Sequence, residues 1–113
     1  MEYKIRDLEG VRIIDLLGNI RSQHDYKNFN NAMNDVLSET NKNFAINFSG
    51  VQFISSTGLG RLSILSRQVR ERSGQLIVYN LNHNLSNTFA LANLDQKITV
   101  CETEGEMLLN LKS

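Results

Sequence analysis

The sequence predicts an α/β fold in which a mixed, mostly parallel sheet of four or five strands is combined with about four helices. The chain has 113 residues, a length that suits one core of this size. Segments with strand periodicity alternate with segments with helical periodicity, which indicates crossover units and a parallel sheet. The first two apolar runs are separated by only two residues, the second of them glycine, which predicts an antiparallel hairpin at the N-terminal end. Because no proline, linker or repeat interrupts the chain, we expect residues 1–113 to form one domain.

The N-terminal hairpin joins the runs Tyr3–Leu8 and Val11–Leu17 through Glu9 and Gly10. The second run places apolar side chains on both of its faces, which is typical of an inner strand that is covered on both sides. Asp15 interrupts this run, so we expect it to lie at an edge or to pair with a basic side chain.

The first helix is predicted from about residue 23 to residue 39. Ser22 and Asp25 have the spacing of a capping box, and apolar residues follow at helical spacing. The alternating run Phe44–Phe48 then predicts a strand.

The second helix is predicted to begin near Ser56 or Thr57, either of which could serve as its N-cap. Gly74 stands where a C′ residue would close this helix, and Gln75–Asn80 reads as a buried parallel strand because of its continuous apolar run. The apolar face of the helix is formed by Leu59, Leu62, Leu65 and Val69.

The C-terminal part predicts a third short helix, a last strand and a closing helix. The helix carries Leu85 and Phe89, the strand is Ile98–Cys101, and Thr103 with Glu106 forms a capping box before the final helix. The order of elements is therefore ββ-α-β-α-β-α-β-α.

Composition and charge exclude several classes of function. The 12 basic and 12 acidic residues give a formal net charge of zero, which argues against a nucleic-acid-binding module. No apolar run is long enough to cross a bilayer, and the first residues lack the apolar core of a signal peptide. We therefore expect a cytoplasmic protein that binds no nucleic acid and does not insert into membranes. We also expect it to be a monomer or weak dimer.

The sequence offers no set of residues for catalysis or metal binding. Cys101 is the single cysteine, which excludes an internal disulfide and suits a reducing compartment. With His24 and His83 it supplies too few ligands for structural zinc. Because no acidic pair, Cys–His pair or Ser–His–Asp set can be placed by spacing, we expect a protein that is not an enzyme and carries no cofactor.

The most informative segment is Phe53–Leu62, which joins a strand to the start of a helix and contains three consecutive hydroxyl residues, Ser55 to Thr57. A helix start exposes unpaired N–H groups and favours an anion, while capping needs only one oxygen. One interpretation is an N-cap with closely packed glycines. Another is a phosphate loop for a nucleotide or flavin, but Gly58-x-Gly60 is followed by Ser63 instead of a third glycine.

The order of elements and the segment Phe53–Gly60 resemble the STAS domain, the sulfate-transporter and anti-sigma-factor-antagonist family. Its stand-alone bacterial members carry an Asp-Ser-Ser/Thr-Gly-Leu-Gly segment between a strand and a helix. Weaker matches lie at Gly18–Ile20, Leu91–Leu94 and Thr103–Leu108. The resemblance extends over nearly the whole chain.

This resemblance implies an anti-sigma factor antagonist in a partner-switching pathway. The unphosphorylated domain would bind an anti-sigma factor that is a serine kinase and release a sigma factor; the kinase would phosphorylate the domain, and a PP2C-type phosphatase would reset it. The phosphoacceptor falls on Ser56. The family also allows a scaffold or a transport-complex subunit without this control.

One departure from the family motif concerns the charge beside the acceptor. Ser55 stands where the family has Asp, so kinase recognition is expected to change, and Ser55 is itself a possible second acceptor. We expect the partner-binding face to gather residues at loops and helix starts, where a rigid scaffold presents contacts. These residues are Gly18, Asn19, Ser55, Ser56, Thr57, Gly58 and Arg61.

Overall fold

The computed structural model describes residues 1–37 and 42–112. Its elements follow the predicted order. They are β1 (Glu2–Leu8), β2 (Val11–Leu17), α1 (Gln23–Leu37), β3 (Asn43–Gly50), α2 (Ser56–Glu71), β4 (Gln75–Tyr79), α3 (His83–Leu91), a short 3-10 turn (Leu94–Gln96), β5 (Thr99–Cys101) and α4 (Glu104–Lys112).

The five strands form one mixed sheet in the order β1-β2-β3-β4-β5. β1 pairs antiparallel with β2, and every other neighbouring pair is parallel. The hairpin turn places Glu9 and Gly10 in the left-handed region, with φ of 51° and 83°. The predicted fold class is therefore confirmed, including the antiparallel strand and the inner position of β2.

The sheet separates two apolar layers. Alternate side chains of β2, β3 and β4 pack with α1, α2 and α3 on one face, and the intervening side chains pack with α4 on the other. Phe48 and Phe89 meet edge-to-face in the larger layer, with ring centroids 5.7 Å apart. In the ranges 1–37 and 42–112, no helix combines the length and apolar character needed to cross a membrane.

The ends of α2 differ from the prediction. Its N-cap is Ser55, not Ser56 or Thr57. At its C-terminal end Ser73 takes the left-handed position, with φ of 59°, and the N–H of Gly74 donates to the carbonyl of Val69 at 3.0 Å. Gly74 is instead required by packing, because a Cβ there would lie 2.0 Å from the carbonyl oxygen of Lys42.

The start of α1 follows the prediction, whereas its predicted last residues, 38 and 39, lie outside the described ranges. The Asp25 N–H donates to Ser22 Oγ at 3.1 Å, and the Ser22 N–H donates back to the Asp25 carboxylate at 3.1 Å. This is the reciprocal capping box that the spacing predicts. Hydrogen bonds from the backbone N–H groups of Ser22 and Arg21 to the carboxylate lower the pKa of Asp25 below its ordinary range.

Asp15 pairs with a basic side chain, as expected. Arg6 Nε donates to its carboxylate at 2.7 Å, and Arg6 also contacts Glu104 at the start of α4, which accepts from the Tyr79 hydroxyl at 2.7 Å. Burial raises the pKa of Asp15, but hydrogen bonds from Arg6 and Asn47 outweigh it, so the pKa lies below its ordinary value. The Arg6 hydrogen bond lowers the pKa of Glu104. The cluster fastens α4 to the sheet.

Candidate functional site

The segments that follow β2 and β3 run side by side. The Gly18 N–H donates to the Gly50 carbonyl at 3.1 Å, and the Ile20 N–H donates to the Phe53 carbonyl at 3.0 Å. The Ser55 N–H then donates to the Ile20 carbonyl at 2.9 Å. These backbone hydrogen bonds bring the sequence-predicted positions near residue 18 next to those near residue 55.

Gly18 and Asn19 shape this site from within. Gly18 has φ of 118°, a conformation that side chains disfavour. Asn19 Oδ1 accepts from the N–H groups of Gln52 at 2.8 Å and Phe53 at 3.1 Å. The two residues therefore hold the loop that leads into α2, in addition to any contact they make with a partner.

Ser55 is committed to capping α2. Its Oγ accepts from the Gly58 N–H at 3.2 Å, and its carbonyl accepts from the Leu59 N–H at 3.0 Å. An Asp at this position has a carboxylate oxygen that can accept the same hydrogen bond. Ser55 therefore caps α2 as an Asp could, but it adds no negative charge to the helix start.

Ser56 and Thr57 are the first two residues of α2, and both are exposed. Their hydroxyls have no hydrogen bond to another residue within 1–37 or 42–112. Both lie at the positive end of the helix dipole, where an added phosphate is electrostatically favoured. The site thus has two accessible hydroxyls, on Ser56 and Thr57, beside the Ser55 hydroxyl that caps the helix.

The two exposed hydroxyl residues border different grooves. Thr57 and Ser55 line a groove of about 420 Å³ together with Arg21 and Tyr26 of the loop and helix that follow β2. Ser56 instead lines a groove of about 310 Å³ with Lys97 and other residues between α2 and the segment after α3. The start of α2 therefore forms a ridge with a basic residue on each side.

Gly58, which the sequence placed on the expected partner-binding face, is buried. A Cβ at this position would lie 2.7 Å from Ile54 Cγ1 and 3.3 Å from Ile20 Cγ2, so the glycine faces the core. A Cβ at Gly60 would meet nothing within 4 Å. Core packing therefore accounts for the glycine at position 58, which does not by itself indicate a phosphate site.

Arg61 is also buried, at 6% exposure, and does not present its side chain to a partner. Its guanidinium donates to Asn30 Oδ1 at 2.6 Å, Asn34 Oδ1 at 3.1 Å and Gln68 Oε1 at 3.2 Å. Burial lowers its pKa. Arg61 therefore joins α2 to α1 through neutral side-chain amides. Its position near the start of α2 in the sequence did not indicate this structural role.

Arg21 and Phe53 belong to the same surface and were not singled out by the sequence. The Arg21 guanidinium lies over the Phe53 ring at 4.9 Å from its centroid, and Phe53 is 44% exposed. An aromatic residue two positions before the hydroxyl segment is the signal that could have identified this surface, because exposed aromatic residues often anchor protein interfaces.

Residues 1–37 and 42–112 contain no group of three His, Cys, Asp or Glu side chains that could hold a metal ion. Cys101 is buried, and burial raises the pKa of its thiol. His24 and His83 are both exposed.

A family model for the STAS domain matches residues 3–107. The chain therefore belongs to the STAS domain family. A search of curated proteins finds no match.

Solved structures show the same fold. An anti-sigma-factor antagonist (STAS) domain protein from Planctomyces limnophilus shares 14% identity with a TM-score of 0.87, over 100% of each chain. The Bacillus cell fate determinant SpoIIAA in its phosphorylated form shares 17% identity with a TM-score of 0.70, over 96% of this chain and 97% of that one. The murine anion transporter Slc26a9 shares 17% identity with a TM-score of 0.72, over 95% of this chain but 18% of the transporter.

Proposed function

We propose that this STAS protein is an anti-sigma factor antagonist that acts in the cytoplasm by partner switching. In its unphosphorylated state it binds an anti-sigma factor that is a serine kinase, and a sigma factor is released. Phosphorylation of Ser56 ends that complex, and a PP2C-type phosphatase restores the binding state. Its own chain performs no catalysis in this scheme.

The observation that carries the proposal is the exposed, unengaged hydroxyl of Ser56 at the first position of α2. A kinase reaches such a group without unfolding the chain. The Ser56 oxygen attacks the γ-phosphorus of ATP, the bond to the β–γ bridging oxygen breaks, ADP leaves and the hydroxyl proton goes to a base. Ser55 is a poor site for phosphorylation, because its hydroxyl oxygen already accepts the capping hydrogen bond from the Gly58 N–H.

The phosphate acts at the interface and leaves the fold intact. It adds about −1.5 to −2 charges at neutral pH. At a helix start this charge is favourable by roughly 0.3–1 kcal/mol, so α2 does not melt. A partner carboxylate about 4 Å away would experience a repulsion on the order of 4 kcal/mol per pair of unit charges at an effective dielectric near 20. That penalty weakens binding by roughly a thousandfold.

The test is a pull-down from the native cytosol with three immobilised variants. Ser56→Ala is expected to retain an ATPase of the histidine-kinase-like type, and Ser56→Asp is expected to lose it. Ser73→Asp is the control, because it also replaces a serine with aspartate but lies beyond the C-terminal end of α2. Ser73 is exposed, and Asp tolerates its left-handed backbone conformation. This control variant should retain the ATPase. Equal capture by all three variants contradicts the switch.

A second candidate is a STAS scaffold or transport-complex subunit without phosphorylation control. Two observations favour it: the fold match to the transporter Slc26a9, and the neutral Ser55 where the family motif has an acidic residue. Capture of a transporter or a large assembly, equally by Ser56→Ala and Ser56→Asp, would favour this candidate over the first.

A further inference from the structure

The groove beside Ser56 contains one charged residue, Lys97. The other residues that line it are small, apolar or hydroxyl-bearing, among them Leu59, Gly60 and Ala92. Lys97 makes no ion pair within residues 1–37 and 42–112, and its side chain is exposed. A cation therefore shares a small groove with the hydroxyl that we propose is phosphorylated.

The backbone of Lys97 is fixed relative to α2. Its carbonyl accepts from the hydroxyl of Ser66 at 3.0 Å, and its N–H donates to the Leu94 carbonyl at 3.0 Å. Ser66 lies on α2 itself and is 2% exposed. Ser66 lies ten residues after Ser56 on the same helix, about 15 Å along its axis. Contact with Ser56 therefore requires the lysine stem to extend along the groove toward the start of α2.

From this arrangement we propose that Lys97 binds the phosphate on Ser56 and forms a bridge across the groove, from the start of α2 to the segment after α3. The inference rests on the proposed phosphorylation of Ser56. A phosphate offers three acceptor oxygens, and the lysine ammonium offers three rotatable donors. Lys97 thus supplies an intramolecular counter-charge to the phosphate on Ser56.

The bridge changes how phosphorylation excludes a partner. A phosphate held by Lys97 covers the groove lined by Leu59, Gly60 and Ala92, so a partner side chain can no longer enter it. Part of the phosphate charge is neutralised at the same time. Exclusion from this groove is therefore steric as well as electrostatic, and phosphate held in this way is less accessible to hydrolysis.

The two grooves beside the start of α2 provide an internal control, because each contains a different basic residue. Arg21 lies in the other groove, with Thr57 and Ser55, and its guanidinium rests on Phe53. A phosphate on Ser56 should therefore respond to replacement of Lys97 and ignore replacement of Arg21. A phosphate on Thr57 should show the opposite dependence.

The experiment uses the full chain with phosphoserine incorporated at position 56 during translation, so it needs no kinase. A ³¹P NMR titration measures the pKa of the second phosphate ionisation. We expect that pKa to be lower in the otherwise unchanged chain than in Lys97→Gln by roughly 0.5–1 unit, a modest shift because the groove is open to solvent. Lys97→Arg should keep most of the shift, and Arg21→Gln should leave it unchanged. Alkaline phosphatase should remove the phosphate from Lys97→Gln at least about twice as fast.

An equal phosphate pKa in Lys97→Gln and the parent overturns the proposal, as does a shift that follows Arg21→Gln instead. Circular dichroism of each variant verifies that helix content is unchanged, and Lys97→Arg serves as the conservative variant if Lys97→Gln does not fold. Failure of this inference can be distinguished from failure of the proposed phosphorylation. A chain that is never phosphorylated in its cell can still show the Lys97 contact when phosphoserine is incorporated.

Discussion

The cap formed by Ser55 makes the most direct stability prediction at the site. Replacing Ser55 with Ala removes the oxygen that accepts from the Gly58 N–H at 3.2 Å. Loss of an N-cap costs about 1 kcal/mol of the free energy of unfolding. At about 2.1 cal/mol/K per residue, an unfolding entropy for 113 residues converts this loss into a Tm lower by roughly 4 °C.

Ser55→Asp restores the residue of the family motif and is expected to act in the opposite direction. It keeps an acceptor oxygen and places a negative charge at the positive end of α2, which adds about 0.3–1 kcal/mol. Thr57→Ala is the matched control, because its exposed hydroxyl has no partner within 1–37 or 42–112 and the change should stay within about 0.5 kcal/mol. Differential scanning calorimetry measures all three. A Tm unchanged in Ser55→Ala refutes the cap as a source of stability.

Other positions give further tests. Asn19→Ala should lower the free energy of unfolding by about 1–3 kcal/mol in urea titrations, because two backbone N–H groups lose their acceptor, while Asn19→Asp should retain most of it. Gly58→Ala should cost about 1–3 kcal/mol through overpacking, whereas Gly60→Ala should be neutral or stabilise by up to about 1 kcal/mol; equal effects would contradict the inward orientation of Gly58. The lowered pKa values of Asp15 and Glu104 predict stability that is complete above about pH 4.5, the ordinary value for Glu, and is lost as the pH falls through the folded-state values. When the free energy of unfolding is measured against pH, Asp15→Asn should lose less stability at acid pH than the parent chain.

The order and type of the elements could be predicted because each rests on local physics. The two apolar faces of β2, the alternation in β3, the capping box at Ser22 and the Glu9–Gly10 turn can all be predicted from neighbouring residues. The N-cap of α2 was misassigned because three consecutive hydroxyls satisfy the same rule, and only the backbone conformation distinguishes them. Ser55 has the extended φ and ψ of −71° and 164° that a cap requires.

The positions of the exposed hydroxyls could be predicted, whereas the surroundings of other candidate residues could not. Ser56 and Thr57 could be located from the strand-to-helix motif, and their exposure follows from it. The burial of Arg61 and Gly58 could not be predicted, because their surroundings come from distant segments: Asn30 and Asn34 on α1 for the arginine, and the Ile20 loop for the glycine. Lys97 lies 41 positions after Ser56 in the sequence and carried no motif, so only the folded chain reveals their shared groove.

The central claim, a switch at Ser56, is tested most directly by mapping phosphate on the chain isolated from its own cells. Tandem mass spectrometry of the peptide that spans Ser55 to Arg61 distinguishes the three hydroxyl residues. The account predicts a phosphorylated fraction with the phosphate on Ser56, which disappears in Ser56→Ala while Ser55 and Thr57 stay unmodified. Phosphate on Ser55, or an unmodified segment in every growth condition that activates the pathway, would contradict it.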